Sequence, residues 1–281
     1  MRSRKVLSVP DSDTARNDSS PPQDRQAPDD FVAPRSRAGN NVPEPDVAAL
    51  FDSIAPVYDK MNTIMTAGLD GHWRRAAVRA ARLSPGDSAL DIACGTGKLT
   101  AALARVVGPL GKAVGVDLAP AMLEEARRSW GDMVQVEFRL ANALALPVED
   151  SSFDAATIAF GLRNLASFED GFREMARIVR PGGRVVCLEL SVPRPRPIGR
   201  FYEAVFNGMA PTIGSLFRRR AAYAYLPHTL VGFPDPVELA ATMRRVGLVN
   251  VSVRRLALGA VALHVGTVPA PESFAPGARQ G

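Results

Sequence analysis

Apolar positions along this chain follow two rhythms, and the rhythms alternate. Val47, Leu50, Phe51 and Ile54 recur at helical spacing, and Pro56 is expected to end or kink that helix. A second helix is expected over about 71–82, with Trp73, Ala76, Ala77 and Ala80 on its apolar side. Short apolar runs then begin. Residues 88–92 read as a buried strand and 93–97 as a tight turn, and a helix opens at Leu99. A second run, 113–116, ends at Asp117, and a helix follows to about Trp130. Residues 134–138 alternate like a third strand, and 153–160 are nearly all apolar, a fourth. A helix over 168–179 leads through Pro181-Gly182-Gly183 into a fifth strand, 184–190. Such alternation implies an α/β fold, a doubly wound, mostly parallel sheet.

The order breaks after residue 190. Pro193, Pro195 and Pro197 make a stiff connector, and Phe201, Tyr202, Val205, Phe206 and Met209 mark an apolar helical face. Residues 191–232 are too long for a plain connection and read as a helical cap insertion. A helix over 237–246 and an antiparallel pair, 248–255 with 259–266, close the sheet at seven strands. Residues 1–45 are rich in Pro, Asp, Ser, Asn and Arg and read as a disordered leader. The folded domain is therefore expected over 46–268, with a flexible tail over 269–281.

Composition changes the picture in a few places. The chain has 281 residues, 46% of them hydrophobic, as in ordinary globular proteins. No apolar run is long enough to cross a membrane, and the basic N-terminus lacks the apolar core of a secretory signal. Cys94 and Cys187 are too few for a disulfide framework or a zinc cluster, which suits a reducing cytoplasm. Cys94 reads as a small buried residue in preference to a catalytic one. The net charge is +5, and the leader, with seven basic and seven acidic residues, contributes none of it.

The candidate chemistry centres on 91–97, which reads Asp-x-Ala-x-Gly-x-Gly. Small residues let the backbone approach a ligand, and the N–H groups of a helix start attract negative charge or hydroxyls. Asp117 lies at the end of the next strand, about where a carboxylate grips ribose hydroxyls in a nucleotide-binding βαβ unit. A solvated strand-end acid is the plain alternative. The loop resembles the first motif of the class I S-adenosylmethionine-dependent methyltransferases, a Rossmann-like fold.

Four further stretches narrow the resemblance. They are Phe51-Asp52-Ser53-Ile54-Ala55-x-x-Tyr58-Asp59-x-Met61-Asn62, Asn142-Ala143-x-x-Leu146-Pro147, Phe160-Gly161-Leu162-Arg163-Asn164-Leu165, and Tyr223-x-Tyr225-Leu226-Pro227 with Phe233-Pro234. Together they resemble the quinone-ring C-methyltransferases of menaquinone and ubiquinone biosynthesis, over about 47–267. The resemblance implies S-adenosylmethionine as cofactor. Asp91, Ala93, Gly95, Thr96, Gly97, Asp117, Asn142, Ala143 and Ala159 would surround it, with Asn142 and Ala143 beside the adenine. It implies an active site at Tyr58, Arg163 and Asn164; no metal-ligand spacing is present in the chain, so no metal is expected. Arg163 would stabilise a developing phenolate, and as an arginine it is no literal base. The alternative for Arg163 is a salt bridge with Asp59 or another acid.

The partners expected are a polyprenylated quinol, no nucleic acid, and a membrane surface touched transiently through 201–220. A homodimer is admissible, and the setting is the cytoplasm or the inner face of the cell membrane. Arg218-Arg219-Arg220 beside Phe217 supplies the basic patch for that surface. His264 reads as a satisfied core or edge histidine, and His228 as facing either the pocket or the surface. Lys98, Ala159, Asp70-Gly71 and the alanines at 221, 222 and 224 depart from the family's usual residues. Competing readings are a methyltransferase of smaller phenols, a catalytically inactive scaffold and, more weakly, an RNA methyltransferase, for which no stacking motif is present.

Overall fold

A computed structural model describes residues 39, 40, 42–193 and 233–270. The proposed leader up to residue 38, most of the cap (194–232, with His228 and the patch at 201–220) and the tail from 271 lie outside the described residues.

Seven strands form one sheet in the order β3-β2-β1-β4-β5-β7-β6. They are β1 Ser88–Ile92, β2 Lys112–Asp117, β3 Val136–Leu140, β4 Phe153–Ala159, β5 Val179–Leu190, β6 Val249–Leu256 and β7 Val261–Thr267. The pairs among β1 to β5 are parallel, whereas β7 runs antiparallel to both β5 and β6. Side chains alternate across each strand. Ala89, Ala113 and Ala155 meet Trp73, Leu99 and Leu103 of the helices α2 (Asp70–Ala81) and α3 (Lys98–Val107). Leu90, Val114 and Ile158 turn the other way, toward Phe172 of α5 (Phe168–Ile178) and Leu239 of α6 (Pro236–Arg245). Helix α4 (Pro120–Trp130) packs Leu123 and Ala126 on Phe138 of β3. With both faces covered, the central strands β1, β2 and β4 are mostly apolar, which is why they read as runs, whereas the edge strands β3 and β6 carry polar, more exposed positions.

The N-terminal expectation needs correction. Helix α1 is continuous over Glu44–Met65, with Pro56 inside it. Proline removes one helical hydrogen bond, but Ile54 and Ala55 before Pro56 and Met61 after it are buried in one cluster with Met122 of α4. That packing on both sides carries the helix through. The folded part also begins before residue 46. The Asn40 N–H donates to the Leu165 carbonyl at 2.7 Å, and Val42 is buried against Val47.

Two further boundaries differ. β3 starts two residues later than the alternation suggests. β5 starts at Val179, because Val179 already pairs with Phe153. The register then shifts, and the Gly182 N–H is held by the Val268 carbonyl at 2.9 Å. Pro181-Gly182-Gly183 is therefore an irregularity within β5.

Strands β1 and β4 are neighbours although β2 and β3 intervene in sequence. The chain reverses direction across the sheet there, and a crevice opens at the carboxyl ends of β1 and β4, the place where open α/β sheets bind ligands.

Candidate active site

The turn after β1 is built from positive backbone angles: Ala93 has φ 50°, Gly95 φ 55° and Gly97 φ 76°. Gly97 is required twice over, since a Cβ there would lie 2.6 Å from Cζ of Phe138. Beneath the turn, the buried Asp91 accepts the hydroxyls of Thr100 at 2.7 Å and Thr157 at 2.8 Å. Burial pushes its carboxyl up to about 6, although both hydroxyls oppose this. At the end of β2, Asp117 accepts the N–H of Gly95 through Oδ2 at 2.8 Å and that of Ala119 through Oδ1 at 3.0 Å. Burial raises its pKa as well, and these backbone donors pull it back.

Helix α1 lies over this end of the sheet and is fastened by three carboxylates. Asp59 accepts the Thr96 hydroxyl at 2.8 Å and pairs with Lys98 at 3.2 Å. Asp52 accepts the N–H of Ala121, in the first turn of α4, at 2.8 Å. Glu44 accepts Nδ2 of Asn142 at 2.6 Å, and Oδ1 of Asn142 accepts the Leu144 N–H at 2.8 Å. One helix thus touches the loops after β1, β2 and β3.

Between α1 and those loops is a mostly apolar cavity. Of the residues expected there from sequence, Tyr58, Ala93, Gly95, Asp117, Asn142, Ala143, Ala159 and Asn164 line it. Four others do not. Asp91 and Gly97 support the turn from behind, Thr96 faces Asp59, and Arg163 points inward. Sequence reasoning missed Glu44, Val47, Phe51 and Met122 as cavity residues. The helical period at 47–54 was the available signal, since it sets Val47 and Phe51 one turn apart on the same side of α1.

The turn after β4 places Asn164 in the cavity. Phe160 adopts φ 61°, unusual for a bulky residue, and a short 3-10 helix, Leu162–Asn164, follows. Arg163 is 5% exposed. Its Nη1 donates to Oε1 of Glu189 at 2.5 Å and to the Phe160 carbonyl at 2.8 Å. Among the described residues, the acid paired with Arg163 is thus Glu189, while Asp59 is engaged by Lys98. A lone charge in the apolar run 185–190 was the sequence signal for it, because a buried carboxylate needs a cation.

Cys94 and Cys187 are both buried, and burial pushes both thiols well up, so neither is a poised nucleophile. His264 is 1% exposed, with Nε2 3.0 Å from the Pro236 carbonyl. Burial lowers its pKa, which makes it a neutral core histidine.

The chain is similar to known proteins. Residues 39–268 match the ubiE/COQ5 methyltransferase family. The demethylmenaquinone methyltransferase of Desulfitobacterium hafniense (strain Y51) is 40% identical over 223 residues, 78% of this chain and 88% of that protein. The ubiquinone/menaquinone biosynthesis C-methyltransferase UbiE of Hahella chejuensis (strain KCTC 2396) is also 40% identical, over 79% of this chain and 91% of its own. A solved SAM-dependent methyltransferase from Aquifex aeolicus superposes with a TM-score of 0.52 at 16% identity, over 69% of this chain and 89% of that one. This last likeness concerns the fold alone.

Proposed function

The chain belongs to the ubiE/COQ5 methyltransferase family, and from that premise we propose that it methylates a ring carbon of a demethylmenaquinol carrying a polyprenyl tail. The observation that carries this reading is the sharing of one cavity by Asp117 and Asn142 with Tyr58 and Asn164. A nucleotide end and an acceptor end then adjoin.

The residues present suit S-adenosylmethionine. The Asp117 carboxylate accepts backbone N–H groups, among them those of Gly95 and Ala119, and its two oxygens have four lone-pair sites, enough to accept a ribose hydroxyl as well. Ala93 and Gly95 put little bulk between backbone and ligand, and Val47, Phe51 and Met122 offer apolar walls. When bound, the cofactor supplies an electrophilic methyl group on a sulfonium. The protein has to orient the ring, favour loss of a proton from the neighbouring hydroxyl and keep competing water out. Tyr58 and Asn164 face the cavity and can hold that hydroxyl. Arg163 acts from behind them, holding the turn that bears Asn164. After transfer, the ring carbon gives up its hydrogen ion to water and aromaticity returns.

The acceptor's tail would keep it in a membrane. Among the described residues no helix is long and apolar enough to cross one. The reading therefore has the enzyme meet its substrate at the membrane surface. The segment expected to touch that surface, 201–220, lies outside the described residues.

The test is incubation with methyl-labelled cofactor and three acceptors: a demethylmenaquinol, a 2-polyprenyl-methoxy-benzoquinol and a tail-less phenol. Labelled menaquinol is expected. Product from the tail-less phenol alone would overturn the acceptor. Cofactor binding without product from any acceptor would point to a scaffold.

A further inference from the structure

We propose that Glu189 is a positioning residue for methyl transfer, acting through Arg163 on the turn that carries Phe160 and Asn164 into the cavity. The inference rests on the methyltransferase reading above.

That turn is held against its own tendency. Positive φ at Phe160 puts a Cβ in a conformation that aromatic residues seldom adopt, and such a residue persists only where its surroundings over-determine it. The supports are visible. The Phe160 N–H is fixed by the Leu188 carbonyl of β5 at 2.8 Å. Its carbonyl is fixed by Nη1 of Arg163 at 2.8 Å. Gly161 packs so closely on the turn after β1 that a Cβ would lie 2.6 Å from that of Ala93.

Among the described residues, Arg163 is in turn held by the carboxylate of Glu189 at two places. Oε1 of Glu189 accepts Nη1 at 2.5 Å, and Oε2 accepts the Arg163 backbone N–H at 3.3 Å. Oε1 also accepts the Leu190 N–H at 2.8 Å, which anchors the carboxylate to its own strand. The pair is almost fully removed from water, with side-chain exposures of 4% and 1%. Neither Arg163 nor Glu189 lines the cavity, whereas Phe160, Gly161, Asn164 and Leu165 do. Glu189 therefore has no direct access to the reacting atoms. Its reach is geometric: β5 sets the carboxylate, the carboxylate sets Arg163, and Arg163 sets the carbonyl of Phe160.

A misplacement of about 1 Å at a reacting centre costs about 100-fold in rate. Glu189→Gln should lower kcat on the quinol about 100-fold, while the affinity for S-adenosylhomocysteine and the KM for the quinol stay within about threefold. Glu189→Asp should recover part of the rate.

Removing one partner of a buried ion pair can unfold a protein, whereas replacing both by apolar residues is often tolerated. The double variant Arg163→Met with Glu189→Leu separates the two effects. It should melt near the parent's temperature and remain as slow as Glu189→Gln. A kcat within about threefold of the parent in either Glu189→Gln or the double variant would make the pair merely structural and overturn the proposal. If Glu189→Gln fails to fold, the double variant decides alone. Should the parent methylate no quinol, the reaction assignment fails and not the positioning. Amide hydrogen exchange over 160–165 then reads the positioning directly: faster exchange in Glu189→Gln supports it, and unchanged exchange overturns it.

Discussion

The carboxylate of Asp117 accepts the amide hydrogen of Gly95 at 2.8 Å, so the end of β2 holds the turn that follows β1. Asp117 both shapes one wall of the cavity and offers its remaining lone pairs to a ligand. Asp117→Ala should therefore weaken S-adenosylhomocysteine binding by about 1.5–3 kcal/mol, the range for hydrogen bonds to a charged group. Calorimetry measures it, and unchanged affinity would remove Asp117 from the cofactor site.

Asp91 makes stability depend on pH in an unusual direction. Burial raises its carboxyl from 3.8 to about 6 in the folded protein. Below about pH 4 both states hold the proton and the group is neutral in the balance. Between about 4 and 6 the unfolded state ionises first, so folding loses stability as pH rises, on the order of 3 kcal/mol by pH 7. Asp91→Asn lacks this loss. The stability of the variant relative to the parent, from urea melts, should rise from pH 4 to 7. Taking the difference cancels groups such as Glu137, which Arg139 and Lys112 hold down at about 2 and which pulls the other way. A flat difference would mean that Asp91 ionises alike in both states.

Two truncations should behave differently. Removing residues 1–38 takes away a polar stretch with no apolar face to dock, and the melting temperature should hold. Removing 1–45 also deletes the Asn40 link to Leu165, the buried Val42 and the Glu44 bond to Asn142. That should cost about 1–3 kcal/mol, at about 2–4 °C per kcal/mol for a domain of this size. Equal melting temperatures for the two truncations would show that the segment 39–45 is dispensable.

Gly97 and Gly182 provide an internal comparison. Both have positive φ, 76° and 83°, so alanine strains either by about 1–2 kcal/mol. At Gly182 an added Cβ meets nothing within 4 Å, but at Gly97 it would strike Phe138. Gly97→Ala should cost about 1–3 kcal/mol more in denaturant melts and should also impair cofactor binding. Equal costs would mean that Phe138 swings aside freely.

The centre of the sheet was legible in the sequence because strands covered on both faces are mostly apolar and punctuated by helices, and edge strand β3 because its positions alternate. The loop at 93–97 and Asp117 were legible because close approach needs small residues and a strand end needs an acid. Burial direction was harder to read. Arg163 stands in a stretch whose family resemblance points to the active site, yet its guanidinium turns inward because Glu189 lies behind it, 26 positions away. Pro56 misled for a related reason. A local rule predicts an end or a kink, and the helix does not end there, because the buried neighbours on both sides belong to a cluster completed by α4, which lies far along the chain.

The three fastenings of α1 also bear on the order in which the molecule assembles. The helix comes first in the domain, but its partners are Thr96, Ala121 and Asn142, at separations of 37, 69 and 98 residues. On a ribosome, Glu44 has no partner until three strands have followed it out. Contacts so distant require chain ends to be brought together before they return any stability. Among the described residues, the first helix to be synthesised thus waits for three strands before its fastenings can all form, and the wall of the cavity at 160–165 is synthesised later still.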